Sequence, residues 1–460
     1  MTAPSGPWQR LTHGFRDALG RRLLSGSSWM VAGQLGAALL GLVQVALLSR
    51  ALGKDAYGGL VLISTAALTV RQLLSVRVWE WTTKDYTHAL EHDDANRAAF
   101  VLKSGLMTSA LINGLAFLLL WAAAPLVEQY FLKGQVDAGL VIAFGGTFVG
   151  SFVYDTCFAV LRAAGLFRYL SLQGLVVALA RVLVLGFAAL SSHALERVVF
   201  AYVVFELAAG LWIFGKTSRV FTSRFGAPFW RLTTPSFGAA LRHNKRLLFF
   251  GSLLDTLKLA TARLDILLLG YLGTPAAVAV YQAAYNFVDG LNRLTTPVSL
   301  VTFSELSRSA AHGDGPVFMQ TVRRMSFWGL AAGAILCPTL FVAAPLLVEL
   351  VYGAQFADAV PVLRALAFTL LWFTVIWMQP AFASAGKAHW GLEVTGISIV
   401  LKLGLLAWLV PAYGAFGLAL SNAFYYLIPV ALLPWYVARL RQLVLAPAFK
   451  HHAPAFGATS

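Results

Sequence analysis

The chain has 460 residues, of which 58% are apolar and 12% are charged, and its formal net charge is +15. Soluble domains carry about twice this share of charged residues, so the composition excludes a disordered chain, a disulfide scaffold and an ordinary soluble enzyme. Uncharged apolar runs such as residues 31–48 have the length of transmembrane helices. The sequence therefore predicts an all-α polytopic membrane protein.

Taken in chain order, the apolar runs predict two six-helix lobes joined by a basic loop. Residues 1–26 form a basic amphipathic segment, residues 216–246 a basic linker, and residues 438–460 a tail. The N-lobe covers residues 27–215 and the C-lobe residues 247–437. The twelve predicted spans are 27–49, 57–79, 98–124, 138–161, 169–191, 198–215, 247–272, 276–301, 325–351, 359–380, 390–411 and 414–437.

The basic residues are unevenly distributed between the two sides of these spans. With the N-terminus in the cytoplasm, the cytoplasmic segments hold 22 of the 35 Lys and Arg residues, and the opposite loops hold Arg50, Lys54, Lys133 and Arg197. This asymmetry follows the positive-inside rule and predicts that both termini are cytoplasmic. The linker and the N-terminal segment mix aromatic and basic residues, which suits an anionic inner leaflet. We attribute the positive charge to topology and expect no nucleic-acid partner.

The two halves of the sequence resemble each other at a fixed offset. Ala46-Leu47-Leu48 and Leu52-Gly53 match Ile266-Leu267-Leu268 and Leu272-Gly273, and residues 123–126 match residues 343–346, all 220 positions on. The Asp137-Ala138 pair recurs as Asp358-Ala359. Duplication of six helices gives two lobes of the same orientation, an arrangement found in transporters that hold their substrate between the halves.

Several charged residues fall inside the predicted spans, where each costs roughly 2.5–3.5 kcal/mol near mid-membrane and usually faces a cavity or a partner. A charged residue near a span end can reach water and needs neither a cavity nor a partner. The residues expected near span ends are Arg77, Glu206, Glu349, Arg364 and Glu393. The remaining embedded charges are Arg71, Lys103, Asp155, Arg181, Asp255, Lys258, Arg263, Asp265, Asp289, Arg293 and Lys402.

The span 276–301 is the most informative of the twelve. Its larger polar residues fall within an arc of about 140° on a helical wheel; they are Tyr281, Gln282, Tyr285, Asn286, Asp289, Asn292 and Arg293. Asp289 and Arg293 are four residues apart and can pair, and Pro297 predicts a kink. A polar seam between helices would also explain this pattern, but the pattern favours a solvated transport cavity.

The preceding span carries its charges on a similar arc of about 160°. Embedded cations outnumber embedded acids, so the sequence predicts a cationic lumen, and an Arg fork suits phosphate oxygens. The predicted anion-binding residues are Arg263, Arg293, Lys258, Arg181 and Arg71. Carboxylates that could couple transport to an ion gradient are Asp255, Asp265, Asp289 and Asp155, although fixed ion pairs that never titrate would fit equally well.

No pattern in the sequence predicts a cofactor or a metal site. The chain has no GxxxxGK[ST] phosphate loop and no HExxH motif. Its two cysteines, Cys157 and Cys337, lie in separate apolar runs and predict buried thiols rather than a disulfide.

Four stretches resemble bacterial polysaccharide flippases of the Wzx type, which transport O-antigen. These are residues 47–58 (LLSRALGKDAYG), residues 263–273 (RLDILLLGYLG) followed by Val280-Tyr281, residues 304–308 (SELSR), and residues 352–363. Ser304 stands where the family usually has proline. The resemblance spans residues 27–437 and implies the MATE-like fold, with two six-helix lobes in a V around a lumen.

The resemblance implies a transport function rather than an enzymatic activity. A flippase of this kind moves an undecaprenyl-pyrophosphate-linked oligosaccharide across the bacterial inner membrane by alternating access, alongside a polysaccharide polymerase and other export machinery. Another MATE-like exporter is an alternative that the cationic lumen disfavours. A membrane polysaccharide polymerase or ligase is a second alternative, but the longest outward loop, near residues 125–137, is short for a catalytic segment.

Overall fold

The computed structural model describes residues 18–74, 78–232, 263–293 and 295–445. Within these ranges the chain is almost entirely helical and contains no β-strand, which confirms the predicted all-α class. Two of the predicted site residues, Asp255 and Lys258, lie outside the described residues. The chain divides into two compact units between Leu267 and Leu268. The first unit thus extends further along the chain than the predicted N-lobe.

Helices of the first unit follow one another with short connections, and aspartates cap two of them. The Asp94 carboxylate accepts the backbone N–H of Arg97 at the start of α3, and the Asp137 carboxylate accepts that of Gly139 at the start of α4. Such caps satisfy backbone donors that the first helical turn leaves without partners. The helices are α1 (Ala18–Leu73), α2 (Val78–Glu91), α3 (Ala95–Leu126), α4 (Ala138–Gly145), α5 (Thr147–Ala163), α6 (Phe167–Ser192) and α7 (Leu195–Phe225).

The described part of the second unit is also built from helices, and it includes one extended 3₁₀ segment. Phe368–Val375 forms this segment and lies inside the predicted span 359–380. Gly329 packs so closely against it that an added Cβ would meet the backbone carbonyl of Phe373. The helices are α8 (Pro275–Arg293), α9 (Thr295–Ala311), α10 (Gly315–Tyr352), α11 (Ala359–Ala367), α12 (Met378–Ser384), α13 (Ala388–Ala431) and α14 (Leu433–Val444).

Two of these helices contain a sharp break at a glycine. Gly53 in α1 has φ 77° and ψ 176°, and Gly414 in α13 has φ 54° and ψ −127°. A residue with a Cβ is strained in such a conformation, whereas glycine adopts it readily. Each break lies close to the point where the sequence predicts one span to end and the next to begin.

Eight helical segments of the described residues are long and apolar enough to cross a membrane. Two of them, Gly33–Leu73 and His389–Val444, have 41 and 56 residues and contain the two glycine breaks. A span needs only about 20 residues, so each is long enough to cross twice. This length is consistent with the predicted twelve-helix arrangement, and the chain is a multi-pass membrane protein.

Several predicted boundaries differ from the observed ones for local reasons. The span predicted at 57–79 ends at Leu73, and a separate helix starts at Val78. The span predicted to end at 215 continues to Phe225, because residues 216–225 contain no Gly or Pro and the first such residues after them are Gly226 and Pro228. The first ten residues of the predicted linker are therefore helical. The span predicted at 276–301 is divided between α8 and α9, and Pro297 lies in the first turn of α9, where proline is tolerated.

Matching positions of the sequence repeat have matching structural roles. Gly53 interrupts a helix, and Gly273, 220 residues later, follows the end of the helical stretch 263–272. Pro125 lies inside α3 and Pro345 inside α10, and Asp137 and Asp358 directly precede α4 and α11. These correspondences support the duplication that the sequence indicates. Cys157 and Cys337 are buried free thiols, as expected.

Candidate functional site

The structure brings Arg71 and Asp155 together from different helices of the first unit. Nη2 of Arg71 lies 2.5 Å from Oδ2 of Asp155, and its Nε donates a hydrogen bond of 3.1 Å to Oδ1 of Asn113. Asn113 is itself fixed by a bond from its Nδ2 to the backbone carbonyl of Ser109. Three helices, α1, α3 and α5, therefore hold one guanidinium. The predicted cation and the predicted coupling carboxylate form one ion pair.

Arg263 lies close to the end of α1. Its Nε donates a hydrogen bond of 3.1 Å to Oε1 of Gln72, the residue that follows Arg71. Arg263 thus binds the residue that follows another predicted anion-binding arginine, Arg71. Asp265, two residues beyond Arg263, is buried with 6% of its surface exposed. The sequence argument missed Gln72 because its amide carries no charge.

A second ion pair of the first unit joins Arg181 on α6 to Glu206 on α7. Nη2 of Arg181 lies 2.6 Å from Oε1 of Glu206, and the guanidinium also lies over the rings of Tyr202 and Phe205, at 5.7 and 5.4 Å. Glu206 was expected near a span end, and it lies well inside the 31-residue helix α7 rather than at either end of that helix. With 18% of its side chain exposed, Glu206 is a mostly buried carboxylate that needs this partner.

The close approach of α5 and α7 positions Glu206. Gly150 on α5 and Gly210 on α7 meet backbone to backbone, and a Cβ on Gly150 would collide with the carbonyl oxygen of Glu206. Small residues permit such contacts between membrane helices, which gain stability from close packing. Tyr154, one turn along α5, lies within electrostatic reach of Arg181, Asp155 and Glu206. Tyr154 therefore lies near members of both ion pairs of the first unit.

In the second unit, Asp289 and Arg293 form the ion pair that their spacing predicted. Nη2 and Nε of Arg293 both donate to Oδ2 of Asp289, at 2.8 and 3.0 Å. The side chain of Arg293 is 66% exposed and that of Asp289 is 35% exposed. A guanidinium has five N–H donors, so this pair leaves Arg293 able to bind a second anion.

The polar face of α8 takes part in packing between helices. Tyr281 is 2% exposed, and its hydroxyl accepts a hydrogen bond of 2.8 Å from Nδ2 of Asn422 on α13. Gln282 donates to Asn286, which donates to the hydroxyl of Tyr352 on α10. These bonds form the polar seam that the sequence left open as an alternative. Tyr281 is therefore buried between helices in this conformation and does not line a solvated cavity.

Tyr285 and Asn292 complete this face with different surroundings. The ring of Tyr285 stacks on that of Tyr281, with centroids 5.8 Å apart. The backbone carbonyl of Asn292 accepts a hydrogen bond from the Thr295 hydroxyl, next to the junction between α8 and α9. Lining of a lumen by Gln282, Tyr285, Asn286 and Asn292 stays a prediction.

Two embedded lysines have structural roles. Lys103 donates to the backbone carbonyls of Trp230 and Leu232, which ties the chain after α7 to α3. Lys402 is 7% exposed, and its ammonium lies 5.1 Å from the centre of the Tyr425 ring. Among the described side chains, no group of three or more His, Cys, Asp and Glu lies together as metal ligands would.

The fold and these charged groups define a class of protein: a multi-pass helical membrane protein in which carboxylates of the same unit hold the embedded Arg71, Arg181 and Arg293. The chain belongs to the family of polysaccharide biosynthesis proteins, which it matches over residues 86–361, more than half of its length. A comparison with curated proteins gives no match.

Solved structures of transporters share the fold. The lipid II flippase MurJ, in an inward closed conformation, is 13% identical with a TM-score of 0.69, and the alignment covers 90% of this chain and 89% of that one. An inward-facing multidrug resistance MATE family transporter of the MOP superfamily is 15% identical with a TM-score of 0.64, covering 90% and 96%. A MOP superfamily transporter from Pyrococcus furiosus is 15% identical with a TM-score of 0.58, covering 92% and 96%. The family match and this fold confirm the resemblance seen in the sequence.

Proposed function

We propose that the protein is a flippase that moves an undecaprenyl-pyrophosphate-linked oligosaccharide from the inner to the outer leaflet of the bacterial inner membrane. The observation that carries this proposal is the combination of a polysaccharide biosynthesis family with the fold of membrane exporters. A polymerase or ligase would need a folded catalytic segment outside the spans. The chain between α3 and α4, where the sequence places the longest outward loop, forms only a π-helical turn, Val127–Phe131, and a short connection.

The proposed orientation places both termini and the basic linker in the cytoplasm. The first part of the linker supports this placement, because the exposed Trp230 follows α7 in a stretch of sequence that also carries Arg219, Arg224 and Arg231. Such a mixture suits contact with an anionic leaflet. The polysaccharide polymerase and other export machinery are the proposed partners on the opposite side.

We assign substrate binding to the arginines of the ion pairs. Arg71, Arg181 and Arg293 each lie beside a carboxylate, which lowers the cost of keeping the guanidinium in the membrane while no substrate is bound. A pyrophosphate brings more negative charge than one carboxylate and can accept the remaining guanidinium donors. Arg263 and Lys258 complete the proposed anion clamp. The proposed coupling groups are Asp155 and Asp289, the carboxylate partners of Arg71 and Arg293, together with Asp265 and Asp255.

Depletion of the protein in its bacterial host tests the flippase proposal. We expect the lipid-linked glycan to accumulate on the cytoplasmic side, where a membrane-impermeant lectin in intact cells does not reach it. Re-expression should restore lectin binding. Normal exposure of the glycan after depletion would contradict the proposal, and exposed but unpolymerised glycan would instead identify a polymerase.

Arg293→Ala is expected to lower glycan export at least about tenfold, because it removes charge-assisted bonds worth about 1.5–3 kcal/mol. Arg293→Lys should be intermediate, since a lysine cannot present a planar fork. Arg308→Ala is the matched control, because Arg308 also forms an exposed pair within one helix turn, with Glu305. Export is measured at equal membrane abundance.

The neutral double variant separates binding from charge compensation at this pair. Asp289→Asn/Arg293→Gln keeps the size and spacing of both side chains but supplies no cation. Loss of export in this variant supports the clamp. Full export by the double variant, or by Arg293→Ala, would show that Arg293 only neutralises Asp289.

A further inference from the structure

A groove in the first unit lies beside the Arg71–Asp155 pair and has no role in the proposed clamp. One face of α5 forms its floor, and Trp79, in the first turn of α2, forms the opposite side. Its volume is about 350 Å³, within the range of small-molecule sites. The residues on the α5 face are Tyr154, Asp155, Phe158, Ala159 and Arg162.

Aromatic rings form most of this groove. The rings of Tyr154 and Phe158 are one helical turn apart and nearly parallel, with centroids 5.9 Å apart and an angle of 20° between their planes. The side chain of Trp79 is 44% exposed. A large ring that is left this open beside two others offers an apolar, flat surface for a ligand.

The polar groups of the groove favour a ligand that both donates and accepts hydrogen bonds. Asp155 gives Oδ2 to Arg71 while its side chain stays 51% exposed, so its carboxylate is neutralised yet still reachable as an acceptor. The guanidinium of Arg162 lies 5.6 Å from the centre of the Trp79 ring and supplies donors at the other end of the face. The net charge of the groove with Arg71 included is positive, which opposes binding of a cation.

We propose that this groove binds a saccharide ring of the translocated glycan. The C–H groups of a pyranose carry partial positive charge and stack on the negative face of an aromatic ring. Its hydroxyls donate to Asp155 and accept from Arg162. An acyl chain offers nothing to bond with the exposed part of the Asp155 carboxylate or with the donors of Arg162, and a cationic amphiphile would meet Arg162.

This inference rests on the proposed function and adds a sugar subsite to it. In the proposed orientation, α5 runs toward the cytoplasm, so Arg162 near its end and Trp79 lie on the side where substrate is loaded. The groove would hold the glycan while the arginines bind the pyrophosphate. The two parts of the substrate are therefore recognised by different residues, and they can be tested separately.

Binding to the purified full chain in lipid nanodiscs tests the subsite. The probes are the oligosaccharide repeat unit released by mild acid from the host's surface polysaccharide, inorganic pyrophosphate, and the cation tetraphenylphosphonium. We expect Trp79→Ala to weaken oligosaccharide binding about tenfold and to leave pyrophosphate binding unchanged. Trp79→Phe should retain most of the affinity because it keeps an aromatic face. The matched control is Trp212→Ala, since Trp212 is also 44% exposed but lies outside the groove.

Each outcome decides the proposal. Selective loss of oligosaccharide affinity in Trp79→Ala, with rescue by Trp79→Phe and an intact elution profile, supports the sugar subsite. Unchanged affinity in Trp79→Ala, no oligosaccharide binding by the wild type, or binding of tetraphenylphosphonium in its place would overturn it. The depletion experiment judges the flippase function without reference to Trp79, so failure of the subsite and failure of the function are distinguishable.

Discussion

Gly150→Ala is expected to destabilise the first unit by about 1–3 kcal/mol, the cost of overpacking a tight contact. The added methyl group would meet the backbone carbonyl of Glu206 and the backbone nitrogen of Leu207, and neither can rotate away as a flexible side chain can. Helices α5 and α7 would have to separate, which moves Glu206 relative to Arg181. We expect a lower melting temperature of the detergent-solubilised protein and reduced glycan export.

Gly215→Ala is the matched control for this prediction. Gly215 also lies in α7, but a Cβ at this position meets no atom within 4 Å. Alanine is the better helix former by about 0.5–1 kcal/mol, so the control should be neutral or slightly stabilising. Equal melting temperatures for Gly150→Ala and Gly215→Ala would show that the contact between α5 and α7 is not tight.

The fold could largely be predicted from the sequence because membrane spans depend on local composition. Apolar runs of sufficient length locate the helices, and the absence of Gly and Pro between Gly215 and Gly226 could have extended the sixth span to Phe225. The division of the span 276–301 into α8 and α9 was foreseen only as a kink at Pro297. The two-unit boundary at Leu267 depends on packing between helices, which composition does not encode.

The candidate site was predictable only where its contacts are local. Asp289 and Arg293 are four residues apart on one helix, so their pairing follows from helical geometry. Arg71 and Asp155 are 84 residues apart, and no periodicity in either helix indicates the other. The polar face of α8 was seen correctly, but the burial of Tyr281 depends on Asn422, 141 residues away.

The ion pairs change the electrostatic argument made from the sequence. Counting embedded charges gave an excess of cations, yet Arg71, Arg181 and Arg293 each carry a carboxylate partner. A paired arginine attracts an anion less strongly at a distance but keeps its donors for short-range contact. If these arginines form the proposed clamp, selectivity for pyrophosphate depends on an exchange of partners in which phosphate oxygens replace the carboxylates.

Arg181→Ala is expected to remove most of the folded protein from the membrane. It leaves Glu206, only 18% exposed, without its cation between α6 and α7, and breaking a buried pair costs about 3–5 kcal/mol. Arg224→Ala is the matched control in the same unit, because Arg224 and Asp93 form an ion pair that is 53% and 71% exposed. Exposed pairs contribute little, so the control should reach wild-type abundance. Membrane abundance is measured by quantitative immunoblotting.

The double variant Arg181→Gln/Glu206→Gln separates the structural role of this pair from substrate binding. Neutral amides of similar size remove the stranded charge and can hydrogen-bond to each other, so abundance should recover. Abundance that stays low would contradict the stranded-charge explanation, because no charge then remains at either position. At recovered abundance, export should still be lost if Arg181 is part of the anion clamp, since no cation faces the pyrophosphate there. Wild-type export by the double variant would remove Arg181 from the clamp and leave the pair with a purely structural role.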